Sequence, residues 1–397
     1  MLIIYIYCCA IISFPNNIVI FKGEEPKIKT IHGINIGFKE NKKATQASSM
    51  FGQSIYASTG TKIASLNLFN KIPVKNISID VIEKTTVIPL GNVIGMKLYT
   101  KGVLVVGMSQ INDENGKKTK PYENTGIEEG DCIVSINGEN IENTNELMEK
   151  LNECNGEKIN IGYLKNDEIN YANITPVKSE NMYKIGLWVR DTQAGVGTAT
   201  FYEPSTNKFM TLGHGITDID TGNVVNISNG ELTTANVISI VKGSKGKPGE
   251  ILGTIESGDT IGKVEKNTTF GVYGTVTNKS TIIGYFNNEM EVANRDEIKE
   301  GSATILCQLD NNEVKEYTIK IEKIYINNNE NNKSMLIKVT DNELIEKTGG
   351  IIQGMSGSPI IQNGKFIGAI TSVLVNDPAE GYGVFGDILI KKMREAN

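Results

Sequence analysis

Histidine is scarce in this sequence, and its scarcity shortens the search for a general base. Only His32 and His214 occur among the 397 residues. His32 lies in a polar stretch without sustained periodicity, which is typical of a solvated side chain. His214 stands between Gly213 and Gly215 at the end of a predicted hairpin. We therefore expect His214, rather than His32, to take part in chemistry, the alternative being a buried histidine bonded to backbone.

Cysteine is also sparse and scattered. The sequence contains no CxxC pair and too few histidines beside the cysteines for a zinc site. A disulfide framework is not expected either, and the cysteines beyond the first apolar segment are predicted to be small core residues. No metal and no cofactor is expected. The five cysteines are Cys8, Cys9, Cys132, Cys154 and Cys307.

The sequence has no basic patch and few long amphipathic stretches. The net charge of −6, without basic residues interleaved with aromatics, argues against nucleic acid as a partner. With 41 glycines and many short β-branched runs, the chain is predicted to be mainly β. Its length allows two or three domains, and an apolar fraction of 39% is enough for each to bury a core.

One long apolar run stands at the N-terminus. Residues 1–14 are apolar without a break, and after Pro15-Asn16-Asn17 the run continues to Phe21. About 20 apolar residues span a bilayer, so residues 1–22 are predicted to be a signal anchor or signal peptide, although no basic region precedes them. A start site assigned too far downstream and a buried strand pair are the alternatives. Residues 23–85 are predicted to be a linker with a leading strand.

Residues 86–178 are predicted to form a small α+β module. Strands are expected at Val93–Tyr99 and Val103–Met108, a tight corner at Glu128–Asp131, and a helix at Asn145–Asn152 capped by Thr144. The stretch GIEEGDCIVSINGENI and the glycine-flanked LGNVIG resemble a PDZ domain. This resemblance implies that peptides bind by strand addition. The alternative is a module that only packs against the next domain.

The PDZ resemblance points to a particular binding loop. The backbone N–H groups of Gly91, Asn92 and Val93 are predicted to receive a chain terminus or an extended segment.

Residues 179–397 are rich in short strands and carry a serine in a glycine-hinged loop. Short strands punctuated by glycine suit one or two antiparallel barrels. Ser356, between Met355 and Gly357, follows Gly354 in the sequence GMSGSP. An exposed hydroxyl on a backbone free to adopt unusual dihedrals suits a nucleophile. With His214 as general base, the residue types indicate acyl transfer, and the N–H groups of Gly354 and Ser356 are predicted to form an oxyanion hole.

A carboxylate is expected to orient the imidazole, and two candidates remain open. Asp341 precedes the serine by 15 residues, at the end of a predicted strand at Ser334–Val339. Asp259 follows the histidine by 45 residues, at a predicted strand corner. The residues alone do not decide between Asp341 and Asp259.

The motifs GMSGSP and LGHGI resemble those of chymotrypsin-like serine peptidases, which share the order His, Asp, Ser. Met355 stands where those enzymes carry an aspartate, so a zymogen switch that pairs a new N-terminus with that aspartate is not available. From about residue 65 onward the chain resembles the stage IV sporulation protein B family, through IPLGNVIGMKLYTKGVLVVG, LGHGITDIDTG and GIIQGMSGSPIIQNGKFIGAIT. The implied fold is a PDZ domain followed by a chymotrypsin-like antiparallel β-barrel peptidase domain.

The resemblance also implies roles and partners. It assigns His214 as base, Ser356 as nucleophile and Asp341 as third member. It implies self-cleavage in the N-terminal region, export into the space between the forespore and mother-cell membranes, and cleavage of a membrane-bound regulator of an intramembrane protease that processes a sigma factor. The competing hypothesis is a PDZ scaffold with an inactive barrel that only binds a membrane partner.

Overall fold

The structure is a computed structural model and is mainly β. It describes residues 16–24, 34–38, 58–68, 72–166, 168–279, 288–310, 313–326 and 332–395. Strands dominate because apolar and polar residues alternate over most of the chain. In the stretch around Ile319, for example, Tyr317, Ile319 and Ile321 are buried and the residues between them face outward.

The strands before the PDZ region are β1 (Asn17–Phe21), β2 (Ile34–Phe38), β3 (Gly60–Leu68), β4 (Ile72–Ile82) and β5 (Thr86–Pro89). The next strands are β6 (Val93–Met108), β7 (Ile111–Asn112), β8 (Lys118–Thr119), β9 (Cys132–Ile136), β10 (Glu139–Asn140), β11 (Ile159–Lys165), β12 (Glu168–Ile174), β13 (Val177–Ser179), β14 (Met182–Lys184) and β15 (Leu187–Glu203). The remaining strands are β16 (Lys208–Thr211), β17 (Ile227–Val241), β18 (Glu250–Thr268), β19 (Gly271–Val276), β20 (Met290–Glu291), β21 (Gly301–Gln308), β22 (Val314–Ile324), β23 (Met335–Val339), β24 (Pro359–Gln362), β25 (Lys365–Leu374) and β26 (Asp377–Phe385). The helices are α1 (Thr144–Glu153), α2 (Asn342–Thr348) and α3 (Gly386–Glu395).

Two closed six-stranded barrels form the peptidase region, and both follow the same strand order. In barrel 1, β6 pairs with β15, then β16, β19, β18 and β17 follow in turn, and β17 closes on β6. In barrel 2 the ring runs β21-β22-β23-β26-β25-β24 and closes on β21. Each barrel therefore places its first three strands in chain order and its last three in reverse. This duplicated antiparallel topology confirms the predicted chymotrypsin-like barrel fold.

The PDZ module is inserted between the first two strands of barrel 1. The first half of β6 pairs with the second half of β15 inside the barrel, from Val93↔Thr198 to Tyr99↔Thr192. The same two strands then continue into the PDZ sheet, where Leu104 pairs with Arg190 and Met108 with Leu187. Residues 86–100, which the sequence analysis assigned to the PDZ module, thus lie in the peptidase region or on its edge, and residues 187–190 lie in the PDZ sheet.

The internal structure of the PDZ module matches its sequence signature. Helix α1 covers the predicted helix, but its cap is Asn143, whose side chain accepts the N–H of Glu146, rather than Thr144. At the predicted corner the carboxylate of Asp131 accepts the N–H of Glu128 at 2.8 Å. Burial raises the pKa of Asp131 above its ordinary value despite this bond.

An N-terminal sheet, ordered β1-β4-β3-β2, packs against the C-terminal helix. Asp80 on β4 accepts hydrogen bonds from Asn17 (2.5 Å), Thr61 (2.6 Å) and Lys391 of α3. Phe21 on β1 is 1% exposed and belongs to the largest core cluster, which also contains Leu389 of α3.

This position corrects part of the N-terminal prediction. Residues 17–21, which were assigned to the membrane segment, form a strand of the folded body. Residues 1–15 lie outside the described residues. Among the residues that are described, no helix is long and apolar enough to cross a membrane.

Candidate active site

His214 sits in a sharp corner directly after the third strand of barrel 1. Strand β16 ends at Thr211, and the next two residues, Leu212 and Gly213, take left-handed φ values of 70° and 68°. A left-handed leucine is strained, as backbone at functional sites often is. Ring atom Nδ1 of His214 lies 2.9 Å from the carbonyl oxygen of Gly215. Because a carbonyl can only accept, this contact assigns the ring proton to Nδ1 and leaves Nε2 free to take a proton.

Ser356 sits in the loop that leads into the fourth strand of barrel 2. Gly354 and Gly357, on either side of it, have φ values of 95° and 97°, which L side chains rarely adopt. The side chain of Met355 is fully buried in the core, which fixes the position of the loop. The hydroxyl of Ser356 donates to the carbonyl oxygen of Thr371 on β25 at 3.0 Å. The hydroxyl must therefore turn away from Thr371 to reach an imidazole.

The two corners contact each other backbone to backbone. A Cβ on Gly357 would lie 2.4 Å from the carbonyl oxygen of Thr198 and 2.6 Å from the nitrogen of Leu212. A Cβ on Gly213 would lie 3.2 Å from both Ile370 O and Thr371 Cγ2. Glycine at these positions allows the histidine corner of barrel 1 and the serine strand of barrel 2 to meet. The segments that carry His214 and Ser356 thus contact each other where the two barrels meet.

Two of the N–H groups in the serine loop have no backbone acceptor among the described residues. The N–H groups of Met355 and Gly357 donate to Ile352 O (3.1 Å) and Ile370 O (2.8 Å). Among the backbone hydrogen bonds of the described residues, none is donated by Gly354 or Ser356. Gly354 and Ser356 are the two donors predicted for an oxyanion hole. Along the loop they alternate with Met355 and Gly357, whose N–H groups are already hydrogen-bonded.

A side chain of barrel 1 holds the loop in place. Thr198 Oγ1 donates to the carbonyl oxygen of Gly354 at 2.6 Å, which orients the peptide group that follows. A cavity of about 390 Å³ opens beside Gly354, between β15 and β18. It offers space for a substrate next to the loop.

Asp341 lies away from His214 and makes other contacts. It is the N-cap of α2: its carboxylate accepts the N–H of Leu344 at 3.1 Å and that of Thr318 at 3.3 Å. The histidine corner contacts the other end of β23, where Asn332 binds Gly213. The five residues of β23 alone span about 17 Å. The structure therefore does not bring Asp341 to the imidazole.

Two further aspartates are also not brought to the imidazole by any described contact. The side chain of Asp259 lies outside the described residues, and its backbone is nine residues back along β18 from Thr268, which packs on Gly215. Asp218 is buried, and it accepts Arg190 at 2.6 Å and the N–H groups of Asp220 and Thr221. Burial raises the pKa of Asp218, but these hydrogen bonds and the charge of Arg190 outweigh it and lower the net pKa. Among the described residues the only hydrogen-bond partner of the His214 ring is Gly215 O.

Gly91, Asn92 and Val93 do not form an open loop. Gly91 N–H donates to Ala199 O at 2.9 Å, and Val93 N–H donates to the side chain of Gln308 at 2.9 Å. Asn92 lies between them, and its carbonyl oxygen accepts the N–H of Ala199. The segment joins the two barrels, so the N–H groups of Gly91 and Val93 are not available for strand addition.

The PDZ module has an open edge elsewhere. The first half of β15 pairs with β6 on one side, and its other side faces α1 across a groove of about 690 Å³. Leu147 and Met148 of α1 line this groove opposite Leu187. Gly186, at a left-handed φ of 80°, precedes the edge strand. The sequence Ile185-Gly186-Leu187, a glycine directly before an apolar strand, was the signal that sequence reasoning missed.

Within the described residues no group of three or more His, Cys, Asp and Glu side chains is placed to hold a metal ion. The described cysteines Cys132, Cys154 and Cys307 are free, and two of them are buried. Burial raises the pKa of Cys132 to about 11 and that of Cys307 to about 12. Neither of these two buried thiols is poised to act as a nucleophile.

Two barrels of like topology, a histidine corner on one and a serine loop on the other define a chymotrypsin-like peptidase fold with an inserted PDZ domain. Comparison with protein families agrees. Residues 181–390 match the family described as SpoIVB peptidase S55, and residues 123–165 match a PDZ domain. The first match covers more than half of the chain, so the chain belongs to the SpoIVB peptidase S55 family, whose members are serine peptidases of sporulation.

A curated relative and a solved structure each match about a fifth of the chain. A curated protein, the zinc metalloprotease RasP of Shouchella clausii (strain KSM-K16), is 32% identical over 89 residues, which are 22% of this chain and 20% of that protein. The chain thus spans about a fifth of the length of that relative. The crystal structure of the PDZ domain of an SdrC-like protein from Listeria monocytogenes is 21% identical, with a TM-score of 0.18, over 22% of this chain and 87% of that one.

Proposed function

We propose that this protein is a serine endopeptidase in which Ser356 is the nucleophile and His214 the general base. The observation that carries the proposal is the contact between the two glycine corners, because it brings together the backbone segments that carry His214 and Ser356. The N–H groups of Gly354 and Ser356 support the proposal further, because neither donates to a backbone acceptor among the described residues.

The chemistry follows from these positions. Ser356 Oγ leaves the carbonyl oxygen of Thr371, gives its proton to Nε2 of His214 and attacks the substrate carbonyl carbon. The N–H groups of Gly354 and Ser356 stabilise the oxyanion. His214 then returns the proton to the leaving amine, and water releases the acyl group by the same steps. The carbonyl oxygen of Gly215 holds the imidazole through Nδ1–H.

Asp341 takes a different part in this proposal from the one its sequence position implied. By capping α2 it defines where that helix begins, and α2 leads through Thr348 into the serine loop. Thr348 Oγ1 donates to the carbonyl oxygens of Leu344 and Gly350, which fixes the turn from helix to loop. We propose that Asp341 supports Ser356 through the backbone and not through the imidazole.

Covalent labelling tests the nucleophile. A fluorophosphonate probe should label the full-length protein at Ser356, and labelling should be lost in Ser356→Ala and fall by about 10²-fold or more in His214→Ala. Folded protein that the probe does not label would favour the alternative, a PDZ scaffold with an inactive barrel. Labelling that persists in Ser356→Ala would overturn the assignment.

We also propose that the groove between α1 and β15 is the peptide site of the PDZ module. An extended segment can pair with the open edge of β15, with its side chains against Leu147 and Met148. Trp188, the only tryptophan of the chain, lies at this groove with 65% of its surface exposed, so its fluorescence reports occupancy.

A peptide from the chain itself provides a probe. We propose that the N-terminal region is a substrate and ligand, so a synthetic peptide with the sequence of residues 39–57 should change the fluorescence of Trp188 in a saturable manner. Met148→Glu, at a half-exposed position of the groove, should abolish the change, and Tyr171→Glu, on the far edge strand β12, should not. An unchanged signal in the unmodified protein would contradict this ligand.

The biological setting remains part of the proposal. We propose self-cleavage in the N-terminal region, export through residues 1–22, and cleavage of a membrane-bound regulator that controls an intramembrane protease in the space around the forespore. Family membership supports a sporulation peptidase. Cell fractionation together with N-terminal sequencing of the mature form tests export and self-cleavage, and a mature form that Ser356→Ala still produces would argue against self-cleavage.

A further inference from the structure

One side chain of barrel 2 reaches across to the histidine corner of barrel 1. Asn332 lies three residues before β23, and its Nδ2 donates to the carbonyl oxygen of Gly213 at 3.2 Å and to that of Thr269. The backbone carbonyl oxygen of Asn332 accepts a hydrogen bond from the hydroxyl of Thr371 at 2.9 Å. Thr371 O in turn accepts the hydroxyl of Ser356.

The orientation of this amide follows from its neighbours. Both groups that face it are carbonyl oxygens, so only the NH₂ side can point towards them. Oδ1 is buried and has no hydrogen-bond partner within the described part of the chain. A buried amide oxygen without a partner is energetically unfavourable. The side chain of Asn332 is therefore held by the two hydrogen bonds that its NH₂ group donates.

We propose that Asn332 is a positioning residue, which sets the spacing between His214 and Ser356 without touching the reacting atoms. This inference rests on the proposed function above. Gly213 precedes the histidine, and the turn at Thr268 and Thr269 packs on Gly215, whose carbonyl oxygen holds the imidazole. One amide therefore fixes both sides of the histidine corner, and the same residue is tied to the strand that binds the serine hydroxyl.

The chemistry of the amide separates this role from that of a carboxylate. If Asn332 oriented the imidazole through an acceptor oxygen, Asn332→Asp would preserve or strengthen the effect. The NH₂ group of Asn332 donates to two carbonyl oxygens. An aspartate at this position would instead place a negatively charged oxygen next to both carbonyl oxygens. Asn332→Asp should therefore be impaired at least as strongly as a variant without the side chain.

The main test uses Asn332→Gly in the full-length protein. Asn332 has a φ of 52°, which glycine adopts without strain, so this change removes the amide alone. Asn363→Gly is the matched control, because Asn363 has a φ of 51° in a turn away from the cleft. Saturation kinetics with the fluorophosphonate probe give the maximal labelling rate and the apparent affinity separately.

Asn332→Gly should lower the maximal rate by about 10–100-fold with little change in apparent affinity, because small misplacement of reacting groups has effects of this size. Asn363→Gly should leave both unchanged. Thr371→Val, which removes the hydroxyl that holds Asn332, should lower the rate several-fold and serves if Asn332→Gly does not fold.

A maximal rate of Asn332→Gly within twofold of the unmodified protein, or an Asn332→Asp variant more active than it, would overturn the inference. Failure of the proposed function is distinguishable, because it would appear as folded, unmodified protein that the probe does not label, or as labelling that persists in Ser356→Ala.

Discussion

The role of Asp341 can be decided by exchanging one atom. As the N-cap of α2, Asp341 supplies an oxygen to the N–H of Leu344, and asparagine is as good an N-cap as aspartate. Asp341→Asn should therefore keep helix α2, lose at most about 0.3–1 kcal/mol of charge–helix interaction and the bond from Thr318 N–H, worth about 1 kcal/mol, and label at a rate within about threefold of the unmodified protein. Asp341→Ala removes the cap and should cost about 1 kcal/mol of stability.

The competing role predicts a very different number. Loss of the carboxylate that orients a catalytic histidine lowers turnover by about 10⁴-fold even when the geometry is intact. The two roles thus differ by more than three orders of magnitude for Asp341→Asn. The assay combines the rate of fluorophosphonate labelling with the melting temperature, which should fall by about 2–4 °C for Asp341→Ala in a domain of this size.

A matched control separates the effect of losing a helix cap from the effect of damaging the candidate active site. Asn143 caps α1 in the PDZ module, so Asn143→Ala should cost a similar free energy while leaving the labelling rate unchanged. An Asp341→Asn protein with an unchanged melting temperature and a rate reduced by about 10⁴-fold would refute the capping role and restore Asp341 as third member.

Three further changes test the packing around the site. Gly357→Ala places a methyl group 2.4 Å from the carbonyl oxygen of Thr198, so it should abolish labelling and destabilise the protein by several kcal/mol, measured by chemical denaturation; normal labelling would mean that the corners do not meet. Thr198→Val removes the hydrogen bond to Gly354 O and should slow labelling by about fivefold, since a bond of this kind contributes about 1 kcal/mol; an unchanged rate would show that the loop keeps its conformation without this bond. Burial raises the pKa of Asp80, but hydrogen bonds from Lys391 and two neutral side chains outweigh it and lower the net pKa. The interaction of Asp80 with Lys391 therefore stabilises the fold at pH values above about 3.9, the pKa of an aspartate in the unfolded chain. This contribution is lost as the pH falls below that value and the folded protein takes up the proton. Lys391→Met should accordingly cost about 2 kcal/mol at pH 7 and much less near pH 3, and a cost independent of pH would contradict this reading.

The parts of the site that could be predicted from sequence are those whose signal is local. Glycines on both sides of His214 and near Ser356 mark backbone that must turn sharply, and the structure shows left-handed φ at Gly213, Gly354 and Gly357. Alternation of apolar and polar residues likewise located strands, among them the one predicted at Ser334–Val339, which spans Met335–Val339 in the structure.

The parts that could not be predicted depend on partners far away in the chain. Alternation shows that residues 93–108 form strands, but it does not tell which sheet each half joins, so the insertion of the PDZ module stayed hidden. At Asp341 a local signal was present and overlooked: an aspartate three residues before Leu344, with Lys347 and Gly349 at the other end, is typical of a capped helix. The apolar run to Phe21 suits a membrane or a core equally well, and only tertiary contacts place Phe21 in the core.

The shared strands β6 and β15 also have a consequence for how the chain folds. Barrel 1 cannot close until its first strand meets its second, and residues 100–191 lie between Tyr99 and its partner Thr192. Bringing together the ends of a flexible loop of about 90 residues costs roughly 4 kcal/mol of chain entropy beyond a constant term. A folded PDZ module removes most of that cost, because Leu104 and Arg190 are already paired at its base. We therefore expect the PDZ module to fold before barrel 1 closes.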